Sequence, residues 1–182
     1  ELKRDLRVDD RKSNAMLIGC NSEYLDLNRL AIARGRAFGP RDEGDNVIIL
    51  ADGTAKELFP FEDPIGKSVS IEQDVYVVVG QTKARAASAA IGGSLQSREY
   101  NSDAYIPLTT LRKRIGDLVM ARKPGNYTGE LVELTQITLA VDNIADVDVT
   151  ARVVESLLRK YHKDDDWALV VPVELLRQAA RT

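Results

Sequence analysis

The chain has 182 residues, of which 44% are apolar and 29% charged, a balance that supports a folded core and excludes a disordered segment. Its 25 Lys and Arg against 28 Asp and Glu give a net charge of −3, which argues against a nucleic-acid footprint, because neutralising phosphates takes a basic surplus. One Cys and one His exclude an internal disulfide and a multi-histidine metal site, and no apolar run approaches the roughly 18 residues that span a bilayer.

The opening residues, Glu1 to Arg7, are too charged for a signal peptide. Apolar character arrives with Ala15-Met16-Leu17-Ile18, which predicts a strand ending at Gly19. Ser22 is placed to cap a short helix whose Tyr24, Leu25 and Leu27 face inward. Gly35, Gly39 and Pro40 then break the chain, and Arg41 to Asn46 reads as a surface loop. The β-branched run from Val47 to Ala51 predicts a buried strand. Thr54 and Glu57 have the spacing of a capping box, in which the two side chains satisfy each other's backbone amides. Pro60 and Pro64 keep the helix they would start brief. Ser68 to Ile71 and Val75 to Val79, separated by Glu72-Gln73-Asp74, predict a hairpin.

Residues 83 to 98 are small and polar, and so little side-chain area to bury predicts a mobile connection. Ala104 to Leu108 is a further strand, confined by Pro107 to a sheet edge or a strand end. Thr109 or Thr110 can cap a helical turn that stops at Gly116. After a loose stretch from Lys123 to Gly129, Ile137, Leu139 and Val141 alternate with polar residues and predict a half-buried strand. Asp146 or Asp148 can cap a helix with Val154, Leu157, Leu158 and Tyr161 at helical spacing. A strand from Ala168 to Val171 and an amphipathic tail from Val173 to Ala180 complete the pattern. The expected architecture is α+β. Both chain ends, 1–44 and 130–182, form an α/β lobe, and residues 45–129 form an inserted, mostly-β lobe.

The chain offers little catalytic chemistry. Gly66-Lys67-Ser68 ends like a phosphate-binding loop, yet the position five residues before Gly66 is Phe61 where the loop needs glycine, and Pro64 removes an amide donor. Gly39 to Gly44 has the glycine spacing but continues Asp45-Asn46. His162 precedes Asp164-Asp165-Asp166, but a helix end followed by a solvated acidic loop accounts for that grouping without a metal. No Gly-x-Ser-x-Gly elbow accompanies the single histidine. Cys20 follows an apolar run and reads as a buried thiol, and Asn126-Tyr127-Thr128 is a formal glycosylation triplet to which no function attaches.

Several phrases, taken in order, carry a resemblance. Tyr24 to Leu30 leads to Gly35-Arg36-Ala37-Phe38, and Val47-Ile48-Ile49-Leu50 leads to Leu58-Phe59-Pro60 and Asp63-Pro64-Ile65-Gly66-Lys67. Val75 to Gly80 and Ala104-Tyr105-Ile106-Pro107-Leu108 follow. Together, over about Asn14 to Val171, they resemble the extracytoplasmic core domain of MacB-like ABC transporter permeases, a group that includes lipoprotein-releasing and FtsX-type permeases. The resemblance implies a domain inserted between the first two of four transmembrane helices, outside the membrane, with a porter-like α/β lobe carrying a β-rich lobe. It also implies a separate cytoplasmic ATPase domain or subunit, a second permease copy in a homodimer, a possible periplasmic adaptor or substrate, and no cofactor.

In that reading the chain transmits motion while the chemistry happens elsewhere. No catalytic, cofactor-binding or metal-binding residue is assigned. Gly35 and Gly66 are expected in backbone conformations closed to other residues, Asp63 to Gly66 as a tight turn with Pro64 second, and Phe38, Phe59 and Phe61 as core fillers. The alternative is a two-lobed ligand-binding module, against which the 5% aromatic content counts.

Overall fold

The computed structural model describes residues 2–84, 100–116, 134–162 and 167–171, together with the backbone of 118–123 and 126–131. Strands β1 (Leu2–Val8) and β2 (Arg11–Cys20) form an antiparallel hairpin in register from Leu2 opposite Leu17 to Val8 opposite Arg11. Its turn places Asp9 at φ 49°, a left-handed conformation that Asp tolerates. β1 has no counterpart in the sequence-based expectation. Its charges at Lys3, Asp5 and Arg7 alternate with Leu2, Leu6 and Val8, and only Leu6 is fully buried.

Helix α1 (Glu23–Leu27) follows at the expected place, without a side-chain bond from Ser22, and buries Leu25 while Leu27 stays exposed. Next comes β3 (Ile32–Gly35), a short strand hidden in the sequence by its Arg and Gly. Gly35 is at φ +71°, and a Cβ there would stand 2.2 Å from the carbonyl oxygen of Val79, so only glycine fits. Then follow β4 (Val47–Leu50), α2 (Asp52–Leu58), β5 (Ser68–Ile71), β6 (Asp74–Thr82), β7 (Asp103–Pro107) and α3 (Leu108–Arg114). β8 (Leu118–Lys123) and β9 (Asn126–Leu131) pair with each other as a separate hairpin, where a loose stretch was expected.

Seven strands make one sheet in the order β3-β6-β4-β7-β2-β1-β5, and β5 also pairs with β6. The pairing therefore closes into a ring of six strands with β3 attached outside it. Leu6, Leu17, Ile48, Leu50, Val69, Ile71, Tyr76, Val78 and Ile106 fill the ring, joined by Leu58 and Phe59 at the end of α2 and by Leu111 of α3. A second core lies on the other face of β2, β4 and β7, where Ile18, Cys20, Ile49 and Tyr105 meet Leu25, Leu30 and Phe38. Both faces of these central strands are covered, which explains their unbroken apolar runs. Pro107 ends β7 and thus removes no internal ladder bond.

The expected caps do not form. α2 starts at Asp52, so Thr54 lies inside it, fully buried, and donates to the carbonyl oxygen of Asp103 at 3.0 Å. Glu57 accepts instead from Ser13 Oγ at 2.6 Å. Thr110 likewise sits within α3 and donates to the carbonyl oxygen of Asp45 at 2.7 Å. The hydroxyl of Thr54 thus goes to a buried strand carbonyl and that of Thr110 to a carbonyl of the loop before β4. The turn near Pro64 is shifted by one residue: Lys67 N–H donates to Pro64 C=O at 3.1 Å, making Pro64 its first position and Gly66, at φ +78°, its third.

The described residues fall into two compact units, one running from Leu2 to Ile137 and one from Thr138 onward. The sheet runs across position 44/45, because β1, β2 and β3 pair with later strands. In the second unit, α4 (Val147–Tyr161) begins near the expected Asp146, although no residue of it is buried. Ile137 to Val141 and Ala168 to Val171 are not strands, and Ile137 is 67% exposed. Alternation predicts a strand only where a neighbouring strand supplies a ladder, and no described residues pair with these segments. Most of the connection expected to be mobile (85–98 of 83–98), and the tail from Val173 to Ala180, lie outside the described residues.

One polar knot braces the path from β3 to β4. Arg36 holds Asp42 with both guanidinium nitrogens, Nη2 to Oδ1 at 2.8 Å, and Gly39 N–H donates to Oδ2 at 2.7 Å. Asp42 is only 5% exposed. The Arg36 hydrogen bonds hold its carboxyl below the ordinary range, with help from Gly39 N–H and against the opposing effect of burial. A folded-state pKa below the unfolded one means that this stabilisation is present above the unfolded value of about 4 and is lost as pH falls through the folded value. Asp42→Asn is expected to cost about 1–3 kcal/mol at pH 7, and the gap from wild type is expected to shrink in urea titrations near pH 3. Thr54→Val, which keeps the volume and removes the buried hydroxyl, is expected to cost about 1–2 kcal/mol by the same titration at pH 7.

Candidate interaction surfaces

The residues with chemical potential are occupied structurally. Cys20 ends β2 within the second core, and burial pushes its thiol up to about 12, far from a reactive thiolate. The Gly-Lys-Ser segment is a turn into β5. Gly66 N–H donates to Val78 C=O at 2.8 Å, and Lys67 is ion-paired with Glu62 at 3.1 Å, so neither is aimed at a phosphate. His162 follows the last turn of α4, where its N–H donates to Leu158 C=O at 2.7 Å. Asp164 to Asp166 lie outside the described residues. Among the described residues, no group of three His, Cys, Asp or Glu side chains could hold a metal, and no helix is long and apolar enough to cross a membrane. Asn126 opens β9.

What remains is surface. The outer face of the hairpin is charged and internally paired: Lys12 meets Asp5 at 2.8 Å, and Asn14 also donates to Asp5 at 2.8 Å. Pairs this exposed contribute little to stability and leave a hydrated face. On β6 the alternation sends Tyr76 and Val78 into the ring and leaves Val75 and Val77 exposed. Their cross-strand neighbours on β5 are Ser70 and Ser68. The outward face of that strand pair is therefore smooth and weakly polar.

Of the three phenylalanines expected in the core, Phe38 and Phe59 are buried there, whereas Phe61 is 92% exposed. It stands between Pro60 and Pro64 on the connection from α2 to β5, a segment further braced by Asp63, whose side chain accepts from Ile65 N–H at 3.1 Å. A core role for it was inferred from residue type alone. A rigid proline-flanked loop instead holds the ring in solvent.

α4 shows the largest apolar exposure. Val149, Val153, Leu157 and Tyr161 are each more than half exposed, and Val154 and Leu158 are half-buried. A shallow depression of about 500 Å³ on the helix is lined by Arg152, Glu155, Ser156, Arg159 and Lys160, with Arg159 and Glu155 paired at 2.8 Å. Helical spacing announced the apolar face of α4 in the sequence. That it lies uncovered could not be read there, and the exposed valines of β6 gave no signal beyond ordinary strand composition.

The first unit is thus a well-cored body, and its relatives identify its family. The MacB-like periplasmic core domain family matches residues 3–157. The macrolide export ATP-binding/permease protein MacB of Azoarcus sp. is 25% identical over 166 residues, which cover 90% of this chain and 22% of that protein. An uncharacterised ABC transporter permease of Bacillus subtilis, YknZ, is 24% identical over 170 residues, covering 92% of this chain and 37% of that one. The chain thus spans between a fifth and two-fifths of the length of these relatives. Among solved structures, the periplasmic region of MacB from Actinobacillus actinomycetemcomitans superposes with a TM-score of 0.66 at 18% identity, covering all of this chain and 73% of that one. The extracellular domain of YknZ gives 0.63 at 20% identity, covering 91% of this chain and 74% of that one. With a closed strand ring, two cores and a family match over most of its length, this chain belongs to the MacB-like periplasmic core domain family and is an extracytoplasmic domain of the ABC transporter permease type.

Proposed function

We propose that the chain is a non-catalytic coupling body. It transmits movement generated by cytoplasmic ATP hydrolysis to a substrate or partner outside the membrane, in export or in mechanical signalling. The observation that carries the reading is the family match over residues 3–157. The fold is consistent with it, because a closed ring with both faces of its central strands covered deforms little and passes on displacement as a unit.

In this reading the flanking transmembrane helices belong to the same polypeptide and the ATPase is a fused domain or a separate subunit. Two permease copies act together, and a periplasmic adaptor or the substrate meets the exposed surfaces. The likeness to proteins named as ATP-binding/permease supports the ATPase assignment. Exposed Phe61, Val75 and Val77 are the contacts of the first unit best suited to such a partner, since aromatic and aliphatic anchors dominate binding energy.

Two measurements test this. The purified chain is expected to show no saturable ATP binding by calorimetry; binding that disappears in Lys67→Ala would refute the non-catalytic assignment. A permease from which this domain is deleted is expected to keep hydrolysing ATP in membranes while losing export. Export that persists without the domain would overturn the coupling role.

A further inference from the structure

We infer that the strand ring is a clasp: it opens at the β1–β5 seam, with β1 turning outward on its pairing with β2, while the rest of the first unit stays folded. The inference concerns the ring alone and holds whether or not the chain acts as a coupling body. A ring gives where its pairing is narrowest and least is packed upon it. Two of its seams are narrow. β1 meets β5 only with Leu6 opposite Ile71 and Arg7 opposite Ser70, and β4 meets β7 only with Ile49 opposite Tyr105 and Leu50 opposite Ala104. The other seams run longer, as between β1 and β2, where pairing extends from Leu2–Leu17 to Val8–Arg11.

What packs on the two narrow seams differs. At β4–β7 every paired side chain is fully buried, Leu50 and Ala104 in the ring, Ile49 and Tyr105 in the second core. Bonding also continues past the end of β4, since Ala51 N–H donates to Asp103 C=O at 3.0 Å and Thr54 Oγ1 donates to the same oxygen at 3.0 Å. At β1–β5 only the inner pair is apolar. Leu6 and Ile71 face the ring, and outside them stand Arg7, exposed, and Ser70, half-buried. A guanidinium and a hydroxyl stay hydrated with the seam open or closed, so apolar burial holds it from the inner face alone.

The seam also ends abruptly. β5 stops at Ile71, opposite Leu6, and among the described residues no strand pairs with the edge of β1 that continues from Asp5 to Leu2. An ion pair spans this gap: Arg4 Nε lies 2.9 Å from Glu72 Oε1, with the Glu72 side chain 63% exposed. A pair so open to solvent is screened and holds the strands weakly. β2, in contrast, is fixed. It pairs with β7 from Met16–Asp103 to Cys20–Pro107, its Ser13 donates to Glu57 of α2, and its residues enter both cores. β1 is therefore the strand that moves and β2 the strand it turns on. Load applied across the ring is relieved at β1–β5, and the seams that carry the second core stay closed.

Residue-resolved hydrogen exchange on the purified chain gives the test. The β1 and β5 amides that bond across the seam are expected to exchange at least tenfold faster than those that bond between β4 and β7. They are also expected to outpace the β1 amides bonded to β2, a difference within one strand that unfolding of the whole unit would not produce. Equal rates at the two narrow seams, or one rate throughout β1, overturn the inference. A disulfide between Arg7→Cys and Ser70→Cys joins the outward residues of the seam, and the native Cys20 is buried away from it. Its closure is expected to slow exchange across β1–β5 at least tenfold and to leave β4–β7 unchanged, and reductant is expected to restore the original rates. Seam amides that exchange as fast with the disulfide closed as with it reduced also overturn the clasp. Where the cysteine pair does not close, the rates in the unmodified chain decide the matter alone.

Discussion

The fold of the first unit depends on a strand of four residues. β5 pairs with β1 on one edge and β6 on the other, and this double pairing turns an open seven-stranded sheet into a ring. Closure removes two free edges and encloses Leu6, Tyr76 and the aliphatic residues around them without a gap towards solvent. The rest of the unit follows from that closure. α2 and α3 contribute to the enclosed core, and α1 covers the second one. Buried threonine hydroxyls of α2 and α3 tie these helices to carbonyl groups of β7 and of the loop before β4.

The polar side chains of the first unit serve mainly to hold this frame. Arg36 and Asp42 fix the crossing from β3 to β4, and Thr54 ties helix to strand. The frame leaves apolar side chains outside: the phenylalanine on the loop before β5, the valines of β6, and the ridge of α4.

Strands that bury both faces were legible in the sequence. Val47 to Leu50 and Ala104 to Pro107 stand out because a run of apolar residues has no other economical place in a fold of this size. The β5–β6 hairpin was legible for a related reason, a short polar turn between two β-branched runs. β1 and β3 were not, because a strand that buries one face beside a charged one, or that is half glycine and arginine, resembles a loop. The capping box at Thr54 and Glu57 failed for a different cause. Spacing alone does not reveal that a strand carbonyl will claim the hydroxyl first. Phe61 shows the same limit, since residue type predicts burial only on average.

By itself the sequence determined the α+β class, the glycine at position 35, the absence of a complete phosphate loop, and the family, since ordered phrases survive where overall identity has fallen low. Tertiary structure alone decided the ring closure, the partners of the threonine hydroxyls, the knot around Asp42, and which apolar residues stay outside. The reason is physical. Local patterning reports how each segment relates to a buried face, but which segments supply that face, and which polar groups they strand, depends on pairings between residues far apart in the chain.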